Sequence, residues 1–299
     1  MDPEPFLTAE ITCLLDGRFA LAECPTWDER RQKLFFTDIK GKAIHALDWK
    51  NRELETWTFA KEVGSFALCE DGRLIVAVWD QVVLFDPQSG AQQAIASIEA
   101  DNPHTRLNDG KAGPDGAFWV GTMDNRSPRQ PVAGLYRVAP DGKVTQILDG
   151  VHVSNGLAWS PDGRAMYHAD SSPGWVDRWR FDPAAGAVSE RTRFAQLTNE
   201  TGRPDGATVD SSGNYWSAGV SAGVLNCFSP SGALLAKFTL PVPRPTMPCF
   251  CGPELADLVI TSLRPDDAAS IEAAPQSGSL FHLRPGLTGL PSYRFGAKG

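Results

Sequence analysis

The sequence predicts an all-β protein, a six-bladed β-propeller of four-stranded antiparallel blades, on three observations. A short β-rich run recurs six times, turn signals punctuate every copy, and no amphipathic helix of ordinary length interrupts the series. The runs are Leu34 to Asp38, Arg73 to Val78, Ala117 to Thr122, Ala165 to Asp170, Asn214 to Gly219 and Leu258 to Ser262. Their spacing of roughly 40 to 50 residues is the period of propeller blades.

Each unit reads in the same order. An apolar strand comes first, as in SFALCE, RLNDGKAG, NGLAWS and DGATVD. A hairpin turn follows, such as Glu70-Asp71-Gly72, Pro114-Asp115-Gly116, Pro161-Asp162-Gly163 or Ser211-Ser212-Gly213. The β-rich run is next, then an alternating strand: IHALDW, VVLFDP, GLYRVAP, VDRWRFDP, GVLNCFSP or SLFHLRP. A fourth strand closes most units, for example Glu53 to Phe59, Lys143 to Leu148 and Ala233 to Leu240. The segment Glu10 to Leu15 precedes the first unit and has no partner nearby, so it is predicted to pair with the last blade and close the ring. Closure removes exposed sheet edges and makes residues 1–299 a single domain.

Bulk composition narrows the function. A formal net charge of -8 and a pI near 5.2, without clustered Lys or Arg, argue against nucleic-acid or anionic-membrane partners. The N-terminal MDPEPFLTAE has neither a basic start nor an apolar run, and no apolar stretch nears the ~20 residues of a membrane span, so a cytoplasmic protein is expected. The six cysteines form no C-x-x-C pair, which points to free, buried thiols; Cys249 and Cys251 are two apart in an apolar strand and suit packing better than a soft metal.

Propellers carry function at the axis, where the innermost strands present side chains to a narrow channel. Counting back about ten residues from each β-rich run puts Glu23, Ser65, Asn108, Asn155, Asp205 and Cys249 there in blade order. Four of the six carry carboxylate or amide oxygens. Converging hard oxygen donors with two negative charges suit a divalent cation such as calcium, magnesium or manganese, and zinc and iron(II) accept such sites as well. Taken singly, Asn108-Asp109-Gly110, Asn155-Gly156 and Pro204-Asp205-Gly206 are ordinary turn sequences, and Glu23 in LAECP suits a strand end. Their shared register favours the site. Arg106, two residues before Asn108, belongs on the same face and places a cation beside the metal, unless it pairs with Asp101 or Asp109. His104, His152 and His168 have no ligand spacing and are expected at the rim or in packing.

These residues resemble the regucalcin (senescence marker protein) and gluconolactonase family over most of the chain. The matching stretches are Leu21-Ala22-Glu23-x-Pro25 with Trp27, Phe36-x-Asp38-Ile39, Arg106-x-Asn108-Asp109-Gly110, Gly121-Thr122-Met123, Ser154-Asn155-Gly156-Leu157-x-x-Ser160-Pro161-Asp162-Gly163, Arg203-Pro204-Asp205-Gly206, Pro248-Cys249-Phe250-x-Gly252 and Ile260-Thr261-Ser262. The resemblance implies one divalent metal (Ca, Zn, Mn or Fe(II)) held by Glu23, Asn155 and Asp205, with Asp205 also the general acid/base. It implies substrate contacts from Arg106 and Asn108, with Asp109 of the same motif beside them. Two departures stand out: Cys24 replaces the family's usual Gly between Glu and Pro, and Asp124-Asn125-Arg126 replaces an acidic substrate contact found in some relatives.

The expected reaction is hydrolysis of a sugar lactone to the aldonic acid. A divalent metal can polarise the carbonyl and lower the pKa of bound water to about 7, while Asp205 moves the proton and Arg106 and Asn108 orient the sugar. The rivals are a phosphotriesterase or arylesterase on the same scaffold and a non-catalytic calcium-binding propeller. The loops Asp124 to Val132 and Arg264 to Ser277 are expected to select the sugar.

Overall fold

Alternating apolar patterning with a turn every few residues commits the chain to hairpins, and the described residues form twenty-four strands in six four-stranded antiparallel sheets. The computed structural model describes residues 9–297. The first blade comprises Ala22–Asp28, Lys33–Asp38, Ala43–Asp48 and Leu54–Thr58, from the axis outward. The next four repeat this order, with innermost strands Val63–Leu68, Thr105–Ala112, Ser154–Trp159 and Pro204–Val209. The sixth blade starts with Pro245–Cys251, Asp257–Ser262 and Leu280–Leu283 and takes its outer strand from the other end of the chain, Thr12–Leu15. Thr12 faces His282 and Cys13 faces Phe281, so the ring closes as the sequence predicts.

The predicted turns form for a local reason. Gly116 and Gly163 adopt φ +70° and +67°, where glycine has no steric penalty. Asp162 Oδ1 accepts the Arg164 N–H at 3.0 Å across the second of these turns. Among the described residues helix is confined to six, Ala268–Ala273, whose first turn is capped by Asp267 Oδ1 on the Ser270 N–H at 2.8 Å. No helix among the described residues is long and apolar enough to cross a membrane.

The core is partitioned. Six apolar clusters lie between adjacent blades, one per interface, such as Phe35, Phe66, Val76 and Phe85 between the first two. Near the axis, side chains tie neighbours together. Cys24 Sγ donates to Phe66 O (3.3 Å), Ser65 Oγ to Asn108 O (2.6 Å), Asn108 Nδ2 to Ser154 O (2.9 Å), Tyr215 OH to Gly156 O (2.9 Å) and Thr246 Oγ1 to Ala22 O (2.6 Å). Between the fifth and sixth blades Met247 packs so tightly on Gly206 that a Cβ there would lie 2.4 Å from it. Five of the six cysteines are buried and all are free; Cys13, on the outer closing strand, is exposed.

Inner strands all run the same way along the axis, so their first halves line one mouth of the channel and their second halves the other. The segment 284–297 runs under the second mouth: Gly289 N donates to Leu255 O, Phe295 N to Leu68 O and Gly296 N to Gly116 O. Arg294 anchors it through Asp28 at 2.8 Å and Glu29 at 2.9 Å.

Candidate functional site

All six inner strands lose register with their neighbour at the same height. Glu23 pairs with Thr37 but Thr26 with Phe35; Asn155 with Ala169 but Ala158 with Tyr167; Pro204 with Gly219 but Ala207 with Ser217. The same slip occurs after Val63, Leu107 and Pro245. An extra residue in one strand bends it and re-aims its side chains. The bulges therefore turn the chain where Glu23, Asn108, Asn155 and Asp205 stand, and all four line one cavity of about 600 Å³ at the first mouth of the channel.

A chain of hydrogen bonds crosses this cavity wall. Arg106 Nε lies 3.1 Å from Glu62 Oε2, and its NH1 donates to Asn108 Oδ1 at 3.0 Å. Asn108 Nδ2 donates to Asn155 Oδ1 at 3.1 Å, and Asn155 Nδ2 to Asp205 Oδ1 and Ser171 Oγ, both at 2.7 Å. Glu23 is held from its own blade: Cys24, at φ +49°, turns its N–H back onto Glu23 Oε2 at 2.8 Å. One oxygen of each carboxylate is thus engaged, and the other is left for a ligand.

The charges are out of balance. Burial, then the Asp205 and Asp109 charges, raise the Glu23 carboxyl well above the usual range. Burial and Asp109 do the same to Asp205, and burial raises Asp109. Clustered carboxylates whose charged forms burial and mutual repulsion disfavour are the electrostatic signature of a place that accepts a cation. The donor chemistry fits a hard divalent ion: two carboxylates and an amide oxygen that has a second lone pair. Among the described residues no three His, Cys, Asp or Glu side chains gather as a metal-binding group; the third donor here is an amide.

The structure corrects two of the six axial positions read from the repeat. In the second blade the equivalent position is Gly64, not Ser65; a Cβ on Gly64 would lie 2.5 Å from Leu107 O, so the close approach of the third blade requires glycine. In the sixth blade Thr246 lines the cavity, whereas Cys249 lies three residues further along, at the opposite mouth. Neither error comes from the bulges, each of which adds one residue: Ser65 is one residue past the position that Asn108 and Asp205 hold in their blades, and in the sixth blade the inner hairpin runs further beyond its bulge, to Cys251 opposite Asp257, so the count stops short of Thr246. Asp109, expected beside the substrate, is not among the cavity-lining residues. It is the second residue of its bulge, buried with Oδ2 accepting the Leu157 N–H at 3.2 Å. Arg106 pairs with Glu62 rather than with Asp101 or Asp109. His104 is exposed, His152 Nδ1 meets Asp170 at 3.0 Å, and His168 is fully buried against Ser154 Oγ at 2.8 Å.

Sequence reasoning missed Arg129, Arg203, Arg244 and Ser171, all of which line the cavity. Arg203 was detectable: it precedes Asp205 by two, the spacing that singled out Arg106 before Asn108. Arg129 was not, because a loop brings it in. That loop explains the Arg126 departure, since Arg126 is spent on buried Asp124, with Nε at 2.9 Å from Oδ1, which orders the turn that carries Arg129. The other candidate loop, 264–277, contributes no residue to the cavity lining.

The family model described as SMP-30/gluconolactonase/LRE-like region matches residues 21–264. A 6-deoxy-6-sulfogluconolactonase of Pseudomonas putida is 35% identical over 281 residues, 93% of this chain and 96% of that relative. A regucalcin of Danio rerio is 31% identical over 290 residues, 96% of this chain and 98% of that relative. Among solved structures, a calcium-binding protein, regucalcin, from Agrobacterium tumefaciens superposes with a TM-score of 0.90 at 27% identity, covering 96% of this chain and 98% of that one.

Proposed function

Because the chain belongs to the SMP-30/gluconolactonase/LRE-like family, we propose that it hydrolyses a sugar lactone to the aldonic acid, with one divalent metal ion held by Glu23, Asn155 and Asp205. The observation that carries this reading is the pair of carboxylates with raised pKa, Glu23 and Asp205, lining, with the Asn155 amide that bonds Asp205, one cavity of about 600 Å³, a size suited to a small ligand. The 35% identical relative, named a sulfogluconolactonase, supports the same chemistry.

A divalent ion bound there supplies Lewis-acid polarisation of the carbonyl and a lowered pKa for bound water. Asp205, with Oδ1 fixed by Asn155, takes the proton of the attacking water on Oδ2 and returns it to the ring oxygen as the acyl bond breaks, a role typically contributing about 10²- to 10⁴-fold. Arg106 stays in place through Glu62 and directs its guanidinium at the developing oxyanion. Both Asn108 amide hydrogens are engaged, on Ser154 O and Asn155 Oδ1. Asn108 therefore positions Asn155 and offers substrate the face it presents to the cavity, while Asp109 acts from below through its field on Glu23 and Asp205.

The test is turnover across a panel: aldonolactones followed by acid release, against phosphotriesters and aryl esters. Hydrolysis of an aldonolactone well above the other classes is expected. Preference for a phosphotriester or aryl ester would transfer the same site to those reactions, and metal binding without any turnover would make the protein a calcium-binding propeller.

A further inference from the structure

The cavity holds more positive charge than lactone hydrolysis requires. Arg106 is committed to Glu62, but Arg129, Arg203 and Arg244 line the same cavity and form no ion pair among the described residues. Most arginines elsewhere are paired with Asp or Glu. The three come from separate parts of the ring. Arg129 is on the loop after the second strand of the third blade, Arg203 stands two residues before Asp205, and Arg244 immediately precedes the sixth blade.

Their donors are free. Arg203 Nε is buried with no hydrogen-bond partner, an arrangement that costs stability unless a ligand satisfies it. Arg129 uses Nε on Asp124 O at 3.2 Å, which fixes the side chain and leaves its terminal nitrogens open. The sign of the cavity also opposes that of the molecule: the chain carries a formal net charge of -8, yet four guanidiniums face two carboxylates here. Sugar hydroxyls do not call for this, because Ser171, Ser172, Asn199 and Ser221 already line the wall. Guanidinium forks match the paired oxygens of an acid group.

We propose that the preferred lactone carries a strongly acidic group, a sulfonate, phosphate or carboxylate, on the carbon chain away from the carbonyl, and that Arg129, Arg203 and Arg244 bind it. The assignment rests on the lactonase reading and names its substrate class. The acidic group docks on the three arginines while the ring carbonyl lies between Glu23 and Asp205.

The experiment compares kcat/KM for one aldonolactone ring in four forms: neutral, and bearing a terminal sulfonate, phosphate or carboxylate. At least one charged form should exceed the neutral one by tenfold or more, with the advantage shrinking as salt is raised. The ranking of the three acids identifies which group the site fits. Arg203→Ala, Arg129→Ala and Arg244→Ala should each reduce the charged-to-neutral ratio several-fold, chiefly through KM; the last two are exposed and keep the test valid if the first misfolds. A neutral lactone turned over as well as all three charged forms, or variants that leave the ratio untouched, would overturn the anion site alone. Hydrolysis of none of the four would overturn the lactonase reading together with it.

Discussion

Cys24 adopts φ +49° beside Glu23, a left-handed conformation that costs a non-glycine residue roughly 1 kcal/mol or more. The strain is what aims its N–H at the carboxylate, and the buried thiol, with Sγ 3.3 Å from Phe66 O, fills space between blades. Cys24→Gly should therefore be tolerated, whereas Cys24→Val, although closer in volume, should lower both Tm and metal affinity because a β-branched side chain resists this backbone. Equal behaviour of the two variants would remove the link between backbone and ligand.

Arg106 offers a second residue-scale prediction. Arg106→Ala should retain metal but lose about 100- to 1,000-fold in kcat/KM, the scale of losing one positioned oxyanion donor, measured on the metal-loaded protein. Loss of metal instead would make Arg106 a support for Asn108 and Asn155. At this scale the sequence was informative where the inner hairpins share a length beyond the bulge. Counting from the turns put Glu23, Asn108, Asn155 and Asp205 at the axis; it fell one residue past Gly64, and three past Thr246 where the inner hairpin runs longer beyond its bulge. Side-chain orientation within a bulge breaks the period of two, which is why Asp109 could not be separated from Asn108 by inspection.

Among the elements, the fourth blade shows how a strand supports the site from behind. His168, on the strand Ala165–Asp170, is fully buried, with Nε2 on Ser154 Oγ at 2.8 Å and Nδ1 unpartnered. Ser154 directly precedes Asn155. Burial, followed by the Arg191 charge, depresses the imidazole pKa to about 3. The unfolded chain, at about 6.5, binds a proton that the folded chain refuses. Stability from this group is therefore complete above pH 6.5 and is lost as pH falls from 6.5 toward 3. His168→Asn should flatten the pH dependence of unfolding between pH 4 and 7 by a few kcal/mol relative to the unsubstituted protein. An unchanged slope in denaturant titrations would contradict the buried neutral histidine. Strand identities and the closing strand were legible from hairpin signals and alternation; the common bulge was not, because no residue type marks it in all six blades.

The whole molecule is a ring of blades whose core lies in six separate interfaces, so its integrity depends on closure and on the segment beneath. Arg294 is 5% exposed and its partner Asp28 fully buried, 266 positions apart in the chain. Removing Arg294 leaves buried Asp28 with Arg31 at 2.6 Å as its remaining ion-pair partner among the described residues, so the cost falls below the ~3–5 kcal/mol of a fully uncompensated buried charge. Arg294→Ala should lower Tm by several degrees with lactone turnover retained below that temperature, since the residue lies under the mouth opposite the cavity. Lost turnover with unchanged Tm would show that the two mouths communicate. The overall architecture was readable because a repeat reports it many times over, whereas the path of 284–297 had no repeat to follow.

The charge arrangement at the axis ties these scales together, and metal dependence tests it most directly. Lactone hydrolysis should be measured on protein stripped by a chelator, then after adding back calcium, manganese, zinc or iron(II), with Asp205→Ala in parallel. Stripping should abolish turnover and at least one ion should restore it, while Asp205→Ala should neither hold the ion nor recover. Full turnover by the stripped protein, or by Asp205→Ala, would contradict a cation centre at Glu23, Asn155 and Asp205.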